Sequence, residues 1–561
     1  MLGGVSPPAS AATLADLPAV PAQMSCTLAA FQALDLKGVA DDNGQVTFSA
    51  VSLVDASATN PSAYCSVRGV IGPGASSIVM KLPMDKWTQR YVQNGCGGEC
   101  GSDNLGNPTQ STGCVPVISG SLVTATTNMG HTGSEGPTWI VDKPWAGIDF
   151  AYRGVHVTAQ VAKAVIKKFY GRAAAYSYFD GCSDGGREAL MAAQRYPQDF
   201  DGIAAGAPAN NMDVQNTYHH ANRVLTNQST LGYMPLPARN TYLLLSGNLP
   251  YIHSKVVAAC DGLDGVLDGI IDDPRNCKFD VNTLICANNG NEPGCLTQAQ
   301  AYAAYRIHMG AWTQLGFPME PPIATEWGSE LDWTLYMPAA QGGSAPAENF
   351  VNGWLYKTFL NSPYKDAATK TARNINDLQW TVFGFFDTVE SSALYSATNP
   401  DLRPFAKNGG KLILWHGWAD QHISPQGTLK YWEQMSAVTG KAGEFARLYL
   451  FPGMGHCGSG LGPNTFDVLT PLMSWVETGS APDALVANNT TTLVSRPVYP
   501  YPTVARYKGS GSPSDWTSFV PFTPPPSDVP TWSLSDVLYE AWFPQARCTA
   551  AGTQIVCDSG L

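Results

Sequence analysis

The sequence is short of charge, and of positive charge most of all. Lys, Arg, Asp and Glu make up 14% of 561 residues, and 33 basic against 45 acidic side chains leave a formal net charge of −12. A surface of that sign repels phosphate backbones and anionic headgroups, so nucleic acid and membrane are excluded as partners. No run of about 18 consecutive apolar residues occurs, so no membrane-spanning helix is predicted. Blocks of like charge and internal repeats of fixed period are also missing. Aromatics at 10% and hydrophobics at 44% instead describe a chain that buries a core. No C-x-x-C pair is present, which removes the usual zinc spacing.

Cysteine itself is plentiful, with 13 residues. Cys260 with Cys277, Cys286 with Cys295, and Cys548 with Cys557 sit at short loop-closing spacings. Disulfides persist where the environment is oxidising, so a secreted or periplasmic protein is expected. The first cation is Lys37, and residues 1–25 are rich in Ala and Pro. They read as the loose start of a mature chain from which a secretion signal has been removed.

The length leaves room for two or three domains, or for one large core carrying an insertion, at roughly 100–200 residues per domain. Strand-like residues run from Ser77 to Asn94, and a helix is predicted over Val157–Tyr170 with Gly171 as its stop. A short strand from Tyr176 to Asp180, a glycine turn, a helix through Glu188 to Arg195 and a strand at Gly202–Ala205 complete a parallel α/β unit. The alternation breaks between about 210 and 400 and resumes at Lys411–Gly417. From there a helix around Leu429–Ser436, a strand at Ala446–Phe451 and a helix around Leu469–Thr478 are expected. The reading is one α/β domain, 26–209 with 401–520, interrupted by an insertion at 210–400. A Pro-rich extension at 521–561 ends in a small disulfide loop.

Between the predicted strand and helix, Gly181-Cys182-Ser183-Asp184-Gly185 fits G-x-S-x-G. Residues without Cβ atoms let the backbone fold tightly and expose a serine Oγ, so Ser183 is the candidate nucleophile. A serine needs a base held in one tautomer, and in this type of site the chain order is Ser, acid, His. Asp420 follows the strand Lys411–Gly417 and His456 follows Ala446–Phe451, each where a functional group emerges at a strand's C-terminal edge. His416 and His422 compete with His456 for the role, but both flank the acid and read as core or loop histidines. Cys182 precedes the nucleophile and Cys457 follows the base, so a Cys182–Cys457 bridge would pin both loops together.

These segments, with Trp415-His-Gly-Trp-Ala-Asp420, Phe451-Pro-Gly-Met-Gly-His-Cys457, Phe466-Asp-Val-Leu-Thr-Pro-Leu and Ala505-Arg-Tyr-Lys-Gly-Ser-Gly, resemble the tannase and feruloyl esterase family, which includes hydrolases of mono-hydroxyethyl terephthalate. The resemblance spans roughly Cys26 to Gly511. It implies an α/β-hydrolase fold with a large lid inserted between nucleophile and acid, the Cys182–Cys457 bridge, and a Cys26–Cys65 bridge. Cys260-Asp-Gly-Leu-Asp-Gly-Val-Leu-Asp-Gly-Ile resembles the family's calcium loop, with Asp261, Asp264 and Asp268 as carboxylate ligands and Val266 and Ile270 as main-chain ligands. Hard oxygen donors on a Gly-rich loop suit Ca²⁺, and the EF-hand spacing is missing. A solvated acidic loop is the alternative. The oxyanion donors implied are the N–H groups of Asp184 and Gly98. Cys96 and Cys100 interrupt the usual glycine run there, and with Cys114 they are left unassigned, so one of the three is expected to be free or intermolecular.

The expected function is a secreted serine carboxylesterase for feruloyl, galloyl or terephthaloyl monoesters. It would work through an acyl-enzyme, with structural Ca²⁺, no organic cofactor, and a monomeric or weakly associated state. Specialisation as a mono-hydroxyethyl terephthalate hydrolase is the narrower alternative. A peptidase or thioesterase, or a non-catalytic calcium-stabilised binding protein, are the other readings. A terminal carboxylate on the substrate would want an Arg, and the insertion offers Arg223, Arg239, Arg306 and Arg373. Its aromatics Trp354, Tyr356, Phe359, Trp380, Phe383, Phe385 and Phe386 read mainly as core.

Overall fold

The computed structural model describes residues 12–558, apart from 59, 229–240, 289, 291, 293, 360, 528–530, 541–542 and 544. Nine strands form one sheet: β1 (Val46–Val54), β2 (Tyr64–Ile71), β3 (Ser76–Pro83), β4 (Arg90–Asn94), β5 (Val123–Thr126), β6 (Tyr176–Cys182), β7 (Gly202–Gly206), β8 (Lys411–Gly417) and β9 (Ala446–Phe451). Their spatial order is β1-β2-β3-β5-β4-β6-β7-β8-β9.

From β5 to β9 all neighbours are parallel, as the alternation of elements predicts. The other side departs from that expectation. β1, β2, β3 and β5 pair antiparallel, so the sheet is mixed. The reason is loop length: only residues 72–75 join β2 to β3, too few for the crossover that a parallel pair needs. The strand-like stretch from Ser77 to Asn94 is likewise two strands, β3 and β4, that are not adjacent in the sheet.

Helix α1 (Gly154–Tyr170) buries Val157, Val161, Val165, Ile166 and Phe169 on one face and ends at Gly171 in the left-handed region, φ 71°. Helix α2 (Asp184–Arg195) begins at the residue after Ser183. Residues 207–410 lie between β7 and β8. They are mostly helix and turn, including α3 (His220–Gln228) and α4 (Pro346–Thr358). Trp333, Trp354 and Phe385 are fully buried there and belong to the same apolar cluster as α1 and α2. Trp380 is buried too, whereas Phe383 is 84% exposed and Phe386 42%. Helices α5 (Pro425–Thr439) and α6 (Leu469–Thr478) follow β8 and β9. No helix among the described residues is long and apolar enough to cross a membrane.

Six disulfides are present: Cys26–Cys65, Cys96–Cys100, Cys182–Cys457, Cys260–Cys277, Cys286–Cys295 and Cys548–Cys557. The cysteine left over is Cys114. It is buried, and burial with the nearby charge of Asp467 pushes its thiol up to about 11.

Candidate active site

The carboxyl ends of β6, β8 and β9 share one edge of the sheet, because all three strands run the same way. Ser183 stands just beyond β6, Asp420 just beyond β8 and His456 in the loop after β9. A crevice at that edge is where parallel α/β sheets place their chemistry.

Ser183 has φ 67° and ψ −122°, a strained backbone that non-glycine residues rarely adopt. The surroundings hold it there. Its N–H donates to the Gly206 carbonyl (3.0 Å), and its carbonyl accepts from the N–H groups of Arg187 and Ala209, both at 3.1 Å. A Cβ on Gly181 would lie 2.7 Å from the Gly185 carbonyl carbon, and one on Gly186 would lie 2.3 Å from the Gly206 oxygen. The turn is therefore packed backbone against backbone, which is the steric reason for its glycines.

Asp420 is fully buried and uses both oxygens. Oδ1 accepts from the N–H groups of His422 (2.8 Å) and Ile423 (2.9 Å); Oδ2 pairs with His456 Nδ1 (2.7 Å) and His416 Nε2 (3.1 Å). Burial works against its charge, but the charge of His456 and the hydrogen bonds from His416 and His456 outweigh it, holding the carboxyl well below the usual range. His416 is also fixed through Nδ1 to Thr428 Oγ1 (2.8 Å) and is fully buried, so it braces the acid. His456, the histidine of the later loop, is partly exposed.

Cys182 and Cys457 are bridged with a Cα–Cα distance of 6.0 Å, which joins the serine turn to the histidine loop. The structure thus brings Asp420 and His456 into direct contact and ties Ser183 to them covalently. Among the described contacts His456 Nε2 lies 3.6 Å from Cys457 Sγ, and no hydrogen bond to Ser183 Oγ is formed. Such contacts often tighten only when substrate is bound.

The loop after β4 carries the residues whose pairing the sequence left open. Cys96 and Cys100 bridge each other and close a small ring that includes Gly97 and Gly98, so the free cysteine is Cys114, in the same connection between β4 and β5. Gly98 has φ 66° and open space around it; Gly95 is the residue packed on Gly185. The Cys96 N–H donates to Glu188 Oε1 (3.1 Å). Burial, reinforced by the neighbouring Asp184 charge, pushes the Glu188 carboxyl well up. Asp184 is itself clamped by Arg187 Nε at 2.5 Å. Cys96, Cys100, Asp184 and Glu188 place donor atoms within 4.8 Å of one another, but the bridged sulfurs are not thiolates and do not ligate a metal. Sequence reasoning missed Glu188 and Arg187 as parts of this site, although both stand in the helix that opens at Ser183.

In the insertion, Asp261 Oδ1 accepts from the N–H groups of Asp268 (3.2 Å) and Gly269 (3.0 Å). Asp264 and Asp268 accept from Val266 and Ile270, and Arg496 pairs with Asp268 Oδ2. Asp264 Oδ2 and Asp272 Oδ1 are buried without a hydrogen-bond partner. Burial, then the charges of Asp268 and Asp261, push Asp264 up to about 6. Crowded acidic oxygens without partners fit a hard divalent cation. Asp272 and Arg496 were not singled out from the sequence; Asp272 follows the motif directly, whereas Arg496 is 228 residues from Asp268.

Of the candidate arginines, Arg223 is fully buried on Thr325 and Glu320, Arg373 lies over the Phe359 ring, and Arg239 is outside the described residues. A cavity of about 240 Å³ is lined by Trp418, Ala419, Gly453 and Asp332, neighbours of the Asp420 and His456 loops, and not by Ser183.

Residues 65–521 match the family model described as tannase and feruloyl esterase. The chain is 31% identical over 521 residues to mono(2-hydroxyethyl) terephthalate hydrolase of Piscinibacter sakaiensis, covering 82% of this chain and 85% of that protein. It is 32% identical over 477 residues to a probable feruloyl esterase of Arthroderma benhamiae, covering 79% and 83%. The crystal structure of feruloyl esterase B from Aspergillus oryzae superposes with a TM-score of 0.69 at 27% identity, covering 86% of this chain and 96% of that one. Tannin acyl hydrolase from Aspergillus niger, at 19% identity and TM-score 0.66 over 89% and 96%, shares the fold. With its mixed sheet and inserted helices, the chain is a carboxylic ester hydrolase of the α/β-hydrolase fold and belongs to the tannase and feruloyl esterase family.

Proposed function

We propose that this protein is an exported serine esterase that cleaves esters of aromatic carboxylic acids through an acyl-enzyme. The observation that carries the reading is the Asp420–His456 pair at 2.7 Å, fastened by Cys182–Cys457 to a strained serine turn. Ser183 Oγ attacks the ester carbonyl carbon while His456 Nε2 takes its proton. Asp420 accepts from Nδ1–H, which fixes the tautomer and offsets the imidazolium charge. The N–H groups of Asp184 and Gly98 receive the oxyanion; losing one such donor typically costs about 10²–10³ in turnover. The tetrahedral adduct collapses, the C–O bond to the alcohol breaks, and His456 returns the proton to the leaving oxygen. Water then repeats the sequence on the acyl-enzyme and releases the acid.

The insertion would act as the lid that completes the acyl pocket. An aromatic acid is supported by the names of the relatives, which act on feruloyl and terephthaloyl esters. Asp261, Asp264 and Asp268, with the main-chain oxygens of Val266 and Ile270, would hold Ca²⁺, which supplies charge neutralisation to the loop and no step of the hydrolysis. Six disulfides support an oxidising compartment, hence secretion or the periplasm.

The test is a panel of methyl ferulate, methyl gallate and mono-hydroxyethyl terephthalate, with Ser183→Ala as the blank. Hydrolysis of at least one by the wild type and of none by the mutant is expected. Equal rates from the two proteins would end the proposal.

A further inference from the structure

His422 is not used by the mechanism above, yet its ring lies against the ring of His456, centroids 4.9 Å apart and nearly perpendicular. Its backbone N–H is fixed by Asp420 Oδ1. On its other sides stand Phe350 of α4, at 5.1 Å between centroids, and His220 of α3, whose Nε2 is 3.1 Å from His422 Nδ1. His422 and Phe350 are both partly exposed. They form a wall beside the base where the insertion meets the catalytic loops.

The hydrogen-bond network assigns the protons. His220 is fully buried, and its Nδ1 has no partner. An orphaned N–H is rarer in a protein interior than an orphaned acceptor, so the His220 proton belongs on Nε2. His220 then donates and His422 Nδ1 accepts. Burial, with the positive charge that His456 acquires, holds His422 down to about 3, so the ring stays neutral and carries its one proton on Nε2. Among the described residues that Nε2–H has no acceptor.

A histidine base must reach the leaving oxygen to protonate it, so the side chain packed on the base faces the alcohol half of the ester. We propose that His422 is a specificity-determining residue whose Nε2–H donates a hydrogen bond to an oxygen of the alcohol half of the bound ester. The inference rests on the Ser183–His456–Asp420 reading above and extends it to the leaving group. The favoured substrate class is an aromatic ester of a hydroxylated alcohol.

The experiment compares kcat/KM for the 2-hydroxyethyl and n-propyl esters of benzoic acid, each divided by its rate of alkaline hydrolysis. The two tails are nearly isosteric and differ by one oxygen. The wild type should favour the hydroxyethyl ester by about five- to tenfold, the worth of one neutral hydrogen bond. His422→Phe, which keeps a ring and loses the donor, should bring the ratio close to 1. His422→Gln, which places an amide N–H near the position of Nε2, should restore most of the preference. A ratio of two substrates on one preparation does not depend on how much of a variant folds. No preference in the wild type, an unchanged ratio in His422→Phe, or equal loss in both variants would overturn the proposal. So would a variant that alters selection among ring-substituted methyl benzoates and leaves the alcohol ratio alone. Activity retained in Ser183→Ala would instead bring down the triad reading.

Discussion

The turn at Ser183 and the acidic loop from Asp261 to Asp272 are both held in one conformation, by opposite means. The turn is fixed by exclusion. Gly181 and Gly186 sit so close to neighbouring backbone that a single methyl group would collide, Gly185 is packed nearly as tightly, and two disulfides close around them. The acidic loop is fixed by attraction that is incomplete. Its carboxylates accept from their own backbone and from Arg496, but Asp264 and Asp272 keep buried oxygens without partners. The turn should therefore be indifferent to the solution around it, and the loop should depend on what that solution contains.

The sharpest way to break this contrast lies in the turn. Ser183→Ala should lower ester hydrolysis by about 10⁴-fold or more with little change in Tm. Activity assays beside thermal melts check this, and a Tm shift as large as the loss of rate would mean that the serine is structural. Next is the covalent tie. Replacing Cys182 and Cys457 by Ala should cost about 5–6 kcal/mol of stability in the chain-entropy model. It should also lower turnover by about 10²-fold, because a misplacement of about 1 Å in a catalytic pair is that costly. Turnover measured well below the melting point, with folding verified by circular dichroism, separates the two effects.

A third site shows what the acidic loop would be with its charge compensated from within. Glu320 is buried, and burial opposes its charge. His219 and Arg223 outweigh that and hold its carboxyl down to about 2. A carboxyl more acidic folded than unfolded stabilises above the unfolded value of about 4.3. That contribution is lost as pH falls from there toward 2. Glu320→Gln should flatten the acid limb of stability by at most about 3 kcal/mol. Urea midpoints at pH 2.5 and 6 provide the measurement. The smallest effect belongs to the ion. On the proposed calcium reading, free Ca²⁺ at ten times its Kd adds about 1.4 kcal/mol, so chelation should lower Tm by about one degree and leave the initial rate at low temperature nearly unchanged. Immediate and complete loss of rate on chelation would place the cation in the chemistry.

How far the sequence could be read follows the same division. Ser183, Asp420 and His456 stand out as candidates because a G-x-S-x-G turn and two strand-end loops are local patterns, each complete within a few residues. Helix α6 coincides with its predicted span for the same reason. The antiparallel half of the sheet was not legible, because partner choice depends on connection length as well as on strand residues. Arg496 on Asp268 and the Cys96 N–H on Glu188 join residues 228 and 92 positions apart, and no periodicity encodes such pairs. His422 was readable as a residue but not as a neighbour. Its meaning lies in the His220 and Phe350 rings that the insertion delivers to it.

The Cys182–Cys457 bridge also makes the segment between them a closed covalent ring. Any peptide bond cut inside it, such as one in the exposed turn Ala339–Gly342, opens the chain without releasing a piece. Ser183 would then stand on one fragment and Asp420 and His456 on the other, still held at their original spacing by sulfur. A nicked enzyme should migrate as intact protein until it is reduced, and it should keep hydrolysing while it does so.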